Sequence, residues 1–306
     1  MKVVSVNISE KKGIIKLPVP SAKITDKGIA GDAHEGFGHR QISLLSFELM
    51  EQFGKSFQRK FNPGEFGENI TTFGLDPEKV SLLDIVRIGE TVLEITQIGK
   101  ECHGDDCAVF RAVGTCVMPK NGIFSRVKKG GSIAKGDAII FEPRILRFRV
   151  ITLSDRAFSG EYEDKSGPEI WKTLEHHFAN KRWHVEMERR LFPDDADILK
   201  KELESARKEG IDIVITTGGT GVDSRDIAPD VAAPLLEKPL PGIMDHIRIK
   251  YGEKNPNALL SRSIAGIMGT TQVYTLPGSV RAVGEYMVEI LKTMEHLILM
   301  IHGIGH

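Results

Sequence analysis

Cysteine is scarce in this chain: Cys102, Cys107 and Cys116 are the three among 306 residues. Three is odd and too few for a disulfide framework, so the expected compartment is the reducing cytoplasm. Long hydrophobic runs are missing as well, the longest obvious one spanning 297–301. A membrane span needs about 20 apolar residues, so no membrane is expected as a partner. The start, Met1-Lys2-Val3-Val4-Ser5, runs straight into a strand-like pattern without the apolar core of a signal peptide. No charge sign dominates, with 41 Lys and Arg against 42 Asp and Glu. That balance argues against broad nucleic-acid binding, which needs a basic surface strong enough to tilt the count.

What is present is an ordinary globular composition, 41% apolar and 27% charged, in a length that suggests two domains. The division falls near residue 145. All the cysteines precede it and both tryptophans, Trp171 and Trp183, follow it. Residues 1–145 carry 20 basic and 18 acidic side chains, and 146–306 carry 21 and 24. A β-rich pattern ends at Pro143, and a new alternating run starts at Leu146.

The first half reads as mostly β, with strand-like runs at 3–8, 41–45, 85–88 and 91–95, and 46–53 as its best helix. The second half alternates strand and helix. A strand over 148–153 precedes a helix from about Pro168. Asp194 is the expected N-cap of the next helix, in which Leu199, Leu203 and Ala206 share a face. Gly210 ends that helix, a strand over 211–215 follows, and the last helix carries Val283, Met287, Ile290, Leu291, Met294, Leu297 and Ile298. Strand–helix alternation of this kind implies a mainly parallel sheet with helices on both faces, a three-layer α/β/α domain.

The most informative stretch is the buried run 211–215 leading into Thr216-Thr217-Gly218-Gly219-Thr220-Gly221. Ligands bind at the carboxyl ends of parallel strands, and glycines let backbone N–H groups approach an anion. The spacing fits neither the dinucleotide G-x-G-x-x-G nor the phosphate loop G-x-x-x-x-G-K-[ST], which disfavours a nicotinamide dehydrogenase. Asp223, Arg225, Asp226 and Asp230 follow, a mixture suited to phosphate with Mg²⁺, although Asp226 or Asp230 could also cap a helix. Two further strand-to-helix turns should emerge at the same edge. One carries Ser154, Asp155, Ser159 and Asp164, and the other Pro277, Gly278 and Ser279.

These blocks, with Pro193-Asp194-Asp195, Ser224-Arg225-Asp226, 241–244, Leu260-Ser261-Arg262 and 276–279 in order, resemble the molybdopterin adenylyltransferase family over nearly all of 147–306. The resemblance implies an α/β fold, usually a homotrimer. The implied activity is Mg-ATP-dependent transfer of AMP to the terminal phosphate of molybdopterin, with release of pyrophosphate. It further implies that Asp194 and Asp226 match the two family aspartates tied to catalysis. The Thr217–Gly221 loop, Ser154 and 277–279 would match ligand-binding loops. On chemical grounds Asp226 is the first choice for the metal, and Arg225 and Arg262 are candidates to neutralise phosphate oxygens.

In the first half, Gly28–Ile29 with Gly31-Asp32-Ala33-His34, then 40–45, 63–70, Gly99-Lys100-Glu101-Cys102 and Lys135-Gly136-Asp137 resemble the MOSC family. That resemblance implies a mostly-β, barrel-like domain that handles sulfur or binds molybdenum cofactor through one cysteine, on whose position Cys102 falls. A thiolate there would be favoured by Lys100 or His103. Cys102, His103 and Cys107 with Cys116 also admit a zinc site, though the spacing is not a standard pair. His34 and His39 sit in a Gly-rich loop that is either functional or merely polar. The alternative for the whole chain is a carrier that binds molybdopterin without transferring AMP. Molybdenum and tungsten are equally open.

Overall fold

The computed structural model describes residues 1–101, 110–111 and 116–304. They form two compact units, Met1–Arg144 and Ile145–His306. Unit 1 contains strands β1 (Lys2–Ile8), β2 (Leu17–Val19), β3 (Ser21–Thr25), β4 (Gly28–Ile29), β5 (Ile42–Ser46) and β6 (Ile70–Phe73). It continues with β7 (Ile85–Ile88), β8 (Thr91–Ile98), β9 (Ile123–Lys129), β10 (Gly131–Ala134) and β11 (Ile139–Glu142). One sheet has the order β11-β7-β8-β9-β5-β6-β1-β2 and a second has β10-β3-β4. The β7–β8 hairpin turns on Gly89-Glu90, where Gly89 has φ +57°. The ends of the eight-strand order are β11 and β2. The bridge Lys2–Ala138 ties β1 to the start of β11, together with the N–H of Val3 to the Asp137 carbonyl, of Gly136 to Val3 and of Ile139 to Met1, and among the described residues no ladder closes the sheet. Its core gathers Val6, Ile42, Leu44, Ile70, Leu93 and Ile95. Helix α1 (Phe47–Ser56) starts one residue after the expected boundary because Ser46 is its cap, accepting the N–H of Leu49 at 3.3 Å. Helix α2 (Met118–Asn121) precedes β9.

Unit 2 contains β12 (Ile145–Leu153), β13 (His184–Phe192), β14 (Ile213–Thr217), β15 (Lys238–Pro239), β16 (Ala265–Met268) and β17 (Thr271–Leu276). The sheet order is β13-β12-β14-β17-β16-β15. The first four strands run parallel; β16 is antiparallel to β17, and β15 is antiparallel to β16. The helices are α3 (Asp155–Phe158), α4 (Ser166–Phe178), α5 (Ala196–Glu209), α6 (Ala228–Ala232), α7 (Pro241–Gly252) and α8 (Val280–Ile301). Successive strand residues face opposite sides. Ile151, Leu153, Val214 and Val273 meet Leu199, Leu203 and Ala206 of α5 and Ala228 and Ala232 of α6. On the other face Phe148 stacks edge-on with Phe178 of α4 at 5.2 Å, and Gln272 donates to the carbonyl of Met294 in α8. Helices therefore cover both faces of a mixed, mainly parallel sheet.

Three sequence expectations shift here. Asp195, not Asp194, caps α5: its backbone is extended and its carboxylate accepts the N–H of Ile198 at 2.9 Å. Strand β14 begins at Ile213 rather than 211, because Ile211 still bonds back to Ala206 in the turn after Gly210. Helix α4 begins at Ser166 rather than Pro168, because Asp164 accepts from Ser166 and from the N–H of Gly167. Among the described residues no helix is long and apolar enough to cross a membrane.

Candidate active site

Because β13, β12, β14 and β17 are parallel neighbours, their carboxyl ends release four loops at one edge of unit 2. The Thr-Gly loop is shaped by contact with its neighbours. Thr217 Oγ1 donates to the carbonyl of Pro277 at 2.9 Å, and Gly218 N–H donates to Leu276 at 3.0 Å. Gly218 has φ +101°, and a Cβ there would lie 2.2 Å from the Leu153 carbonyl oxygen. Gly278 packs on the same loop less tightly, since its Cβ would lie 3.4 Å from Gly218 Cα. Gly219, at φ +61°, turns the chain again. The N–H groups of Gly219, Thr220 and Gly221 donate to no acceptor among the described residues. Successive unpaired N–H groups of this kind form a concave anion seat.

Asp226 stands against this loop. Its Oδ2 accepts the N–H of Asp223 at 2.8 Å, and a Cβ on Gly221 would lie 2.6 Å from the same oxygen. Neither Asp226 nor Asp230 caps α6, whose start has no side-chain cap. Asp230 instead makes a two-pronged pair with Arg262, both bonds 2.9 Å. Arg262 also donates to the carbonyls of Gly221 and Asp226, and its own N–H goes to Thr220. Arg262 is thus a clamp on the glycine loop rather than a spare cation. Arg225 is exposed; its N–H donates to Asp223 Oδ1 at 3.1 Å and its guanidinium makes one long bond to the same oxygen. Ser261 Oγ lies 2.9 Å from Ser263 Oγ, and the Ser261 carbonyl accepts from Arg248.

On the β12 side Ser154 caps α3, accepting from Ala157 at 3.2 Å, and its hydroxyl lies 3.1 Å from that of Tyr162. Ser159 is exposed and bonds to the carbonyl of Arg156. Asp164 is committed to the fold, since its oxygens accept from Thr152, Ser166 and Gly167. Asp155 and Asp194 bond reciprocally: Asp155 N–H to Asp194 Oδ2 at 3.1 Å, and Asp194 N–H to Asp155 Oδ1 at 3.0 Å. Burial pushes the Asp194 carboxyl above its ordinary value, and the charges of Asp155 and Asp226 add to this. The Asp155 N–H and Arg225 act the other way. Ser279 caps α8 by accepting from Ala282 at 3.3 Å.

Residues 149–296 match the family described as "Probable molybdopterin binding domain", and residues 31–140 match the MOSC domain. The chain is 39% identical over 156 residues to the molybdopterin adenylyltransferase of Pyrococcus furiosus, covering 49% of this chain and 88% of that protein. It is 31% identical over 241 residues to the molybdenum cofactor biosynthesis bifunctional protein of Chlorobaculum tepidum, covering 74% of each. The chain belongs to the molybdopterin adenylyltransferase family. A third relative, the molybdenum cofactor synthesis protein cinnamon of Drosophila melanogaster, is 33% identical over 157 residues. That match covers 51% of this chain and only 26% of cinnamon. The first unit of this adenylyltransferase-family chain is a MOSC domain, as the relative from C. tepidum also suggests by its coverage.

Unit 1 of the adenylyltransferase-family chain encloses a cavity of about 670 Å³. Lys12, His34, His39, Arg40 and Lys100 bring positive or titratable groups to it, and Phe66 and Phe124 are among its apolar lining. Behind His34 lies an ion pair with no sequence signature: Lys16 Nζ is 2.5 Å from Asp32 Oδ2, both side chains 1% exposed. Burial works against the Asp32 charge, but bonds from His34, Lys16 and Ser9 outweigh it and hold the carboxyl far below its usual range. Burial, with Arg40 and Arg126 nearby, lowers His39. Cys102, with His103 and Cys107, lies outside the described residues; Cys116 lines the cavity.

Proposed function

We propose that unit 2 transfers AMP from ATP to the terminal phosphate of molybdopterin and releases pyrophosphate. The observation that carries this reading is the run of unpaired N–H groups at Gly219–Gly221 beside Asp226, at an edge where Asp194 and Asp155 also gather. The phosphate nucleophile needs no activated Ser or Cys. Two polyanions must be brought together, so catalysis is positioning plus electrostatic stabilisation. In this reading the loop N–H groups hold phosphate oxygens, Arg262 keeps the loop in shape, and Arg225 supplies positive charge at the rim. Among the described residues no set of three ligating side chains forms a metal cage. One carboxylate with substrate phosphates is, however, the ordinary manner of Mg²⁺ binding, and Asp226 fits it. Mg²⁺ there would offset phosphate charge. The trimer implied by the sequence resemblance, and a cytoplasmic setting, belong to the same reading.

For unit 1 the proposal is binding of molybdenum cofactor, or sulfur handling, with Cys102 as the thiol. Its support is the cavity, whose lining sets Lys12, Arg40 and Lys100 against one acidic residue, Glu35, and includes phenylalanines, a combination that suits a phosphorylated ring system.

The test for unit 2 is pyrophosphate release from Mg·ATP with purified molybdopterin, comparing wild type with Asp226→Ala. Molybdopterin-dependent release that falls by at least about a hundredfold in the variant supports adenylyl transfer. Tight molybdopterin binding without release by the wild type would instead make the chain a carrier.

A further inference from the structure

The β12–β13 ladder runs in register to Leu153 and Phe192, and one more bond follows, from Ser154 N–H to the Phe192 carbonyl at 2.9 Å. Then it stops: alternate residues of β13 face β12, so the next donor would be Asp194 N–H, and that group turns to a side chain instead. Beyond that point the two chains are joined by side chains. Asp155 opens α3, so its N–H has no intrahelical partner; it goes to Asp194 Oδ2. Asp194 N–H goes in turn to Asp155 Oδ1.

Helix capping does not explain the pair. Ser154 already caps α3 and Asp195 already caps α5. Neither does economy, since a neutral Ser or Asn could accept the same bonds without setting two carboxylates against each other. The arrangement leaves Asp194 Oδ1 without a hydrogen bond among the described residues, at the same sheet edge as the glycine loop and in reach of the charges of Asp226 and Arg225.

We propose that Asp155 is a positioning residue for adenylyl transfer: its Oδ1, by holding the Asp194 backbone, fixes the Asp194 carboxylate at the phosphate-binding edge. The inference rests on the adenylyl-transfer reading of unit 2. It assigns Asp155 a geometric task, not contact with ligand, and separates it from Asp194, whose charge is what the site uses.

The experiment measures molybdopterin-dependent pyrophosphate release by the full chain as wild type, Asp155→Ala, Asp155→Asn and Asp194→Asn, with thermal melting of each. Asp155→Ala should lower kcat by about ten- to a hundredfold, the scale of a misplaced group, with KM for ATP within about twofold. Asp155→Asn keeps the Oδ1 acceptor and should hold kcat within about threefold of wild type. Asp194→Asn keeps the bond to the Asp155 N–H but loses the charge, and should lose activity despite a melting curve like wild type. If Asp155→Asn is as poor as Asp155→Ala, or if Asp155→Ala is fully active, the positioning role is wrong. A wild type that releases no pyrophosphate overturns the adenylyl-transfer reading itself, and the inference with it.

Discussion

At Gly218 the backbone is left-handed and a Cβ would strike the Leu153 carbonyl, whereas Gly221 has no such backbone and its missing Cβ makes room for a side chain, the Asp226 carboxylate. The two substitutions should therefore fail differently. Gly218→Ala forces a strained φ, costing about 1–3 kcal/mol before the backbone clash is counted. It should lower the melting temperature as well as activity. Gly221→Ala pushes one oxygen of Asp226 aside in a half-buried loop. Its melting should change by less than about 1 kcal/mol, while pyrophosphate release should drop by about a hundredfold. Equal losses of stability in both variants would show that Gly221 is a fold glycine and that Asp226 has no special placement.

Between helices the informative group is Glu289 of α8. Its side chain is 3% exposed, and it accepts from Lys250 of α7 at 2.6 Å, Lys292 at 2.7 Å and His246 at 3.1 Å. Burial pushes its carboxyl up, but those bonds prevail and hold it down at about 2. A carboxyl depressed in the folded state adds stability above its unfolded value of about 4.3, and that stability is lost as pH falls towards about 2. Because the partners are half in water, the contribution at pH 7 is on the order of 2 kcal/mol. Glu289→Gln should be destabilised by that amount in urea melts at pH 7, and the gap to wild type should narrow steadily between pH 5 and about pH 2. A gap that does not change with pH would assign the effect to packing alone.

Periodicity and caps made most elements readable: the last helix and Gly210, left-handed at φ 71°, stand as expected. The glycine loop was legible because its residue types serve a backbone geometry. What escaped were pairings between residues far apart in sequence. Asp230 with Arg262 and Lys16 with Asp32 have no local pattern, and only the fold makes them neighbours. Asp194 escaped differently. Adjacent Asp194 and Asp195 are equally good caps by composition, and the bond to Asp155 decides which one turns away.

For the molecule as a whole, each unit has hydrophobic clusters built from its own segment: one from Val3 to Ile139 and another from Leu45 to Phe124 in unit 1, and one from Ile151 to Val273 in unit 2. A core that is complete within a segment is the physical requirement for that segment to fold alone. The match to the P. furiosus relative, which covers 88% of that protein with about half of this chain, is what such independence would leave behind. The four loops of the proposed active edge also come entirely from 153–279. Residues 145–306 expressed alone should therefore unfold in one cooperative transition, read by circular dichroism. They should also release pyrophosphate with kcat within about threefold of the full chain, since no proposed ligand contact is removed. A soluble, folded fragment without activity would mean that unit 1 completes the adenylyl-transfer site. A fragment that aggregates would place the missing stability, rather than the missing chemistry, in unit 1.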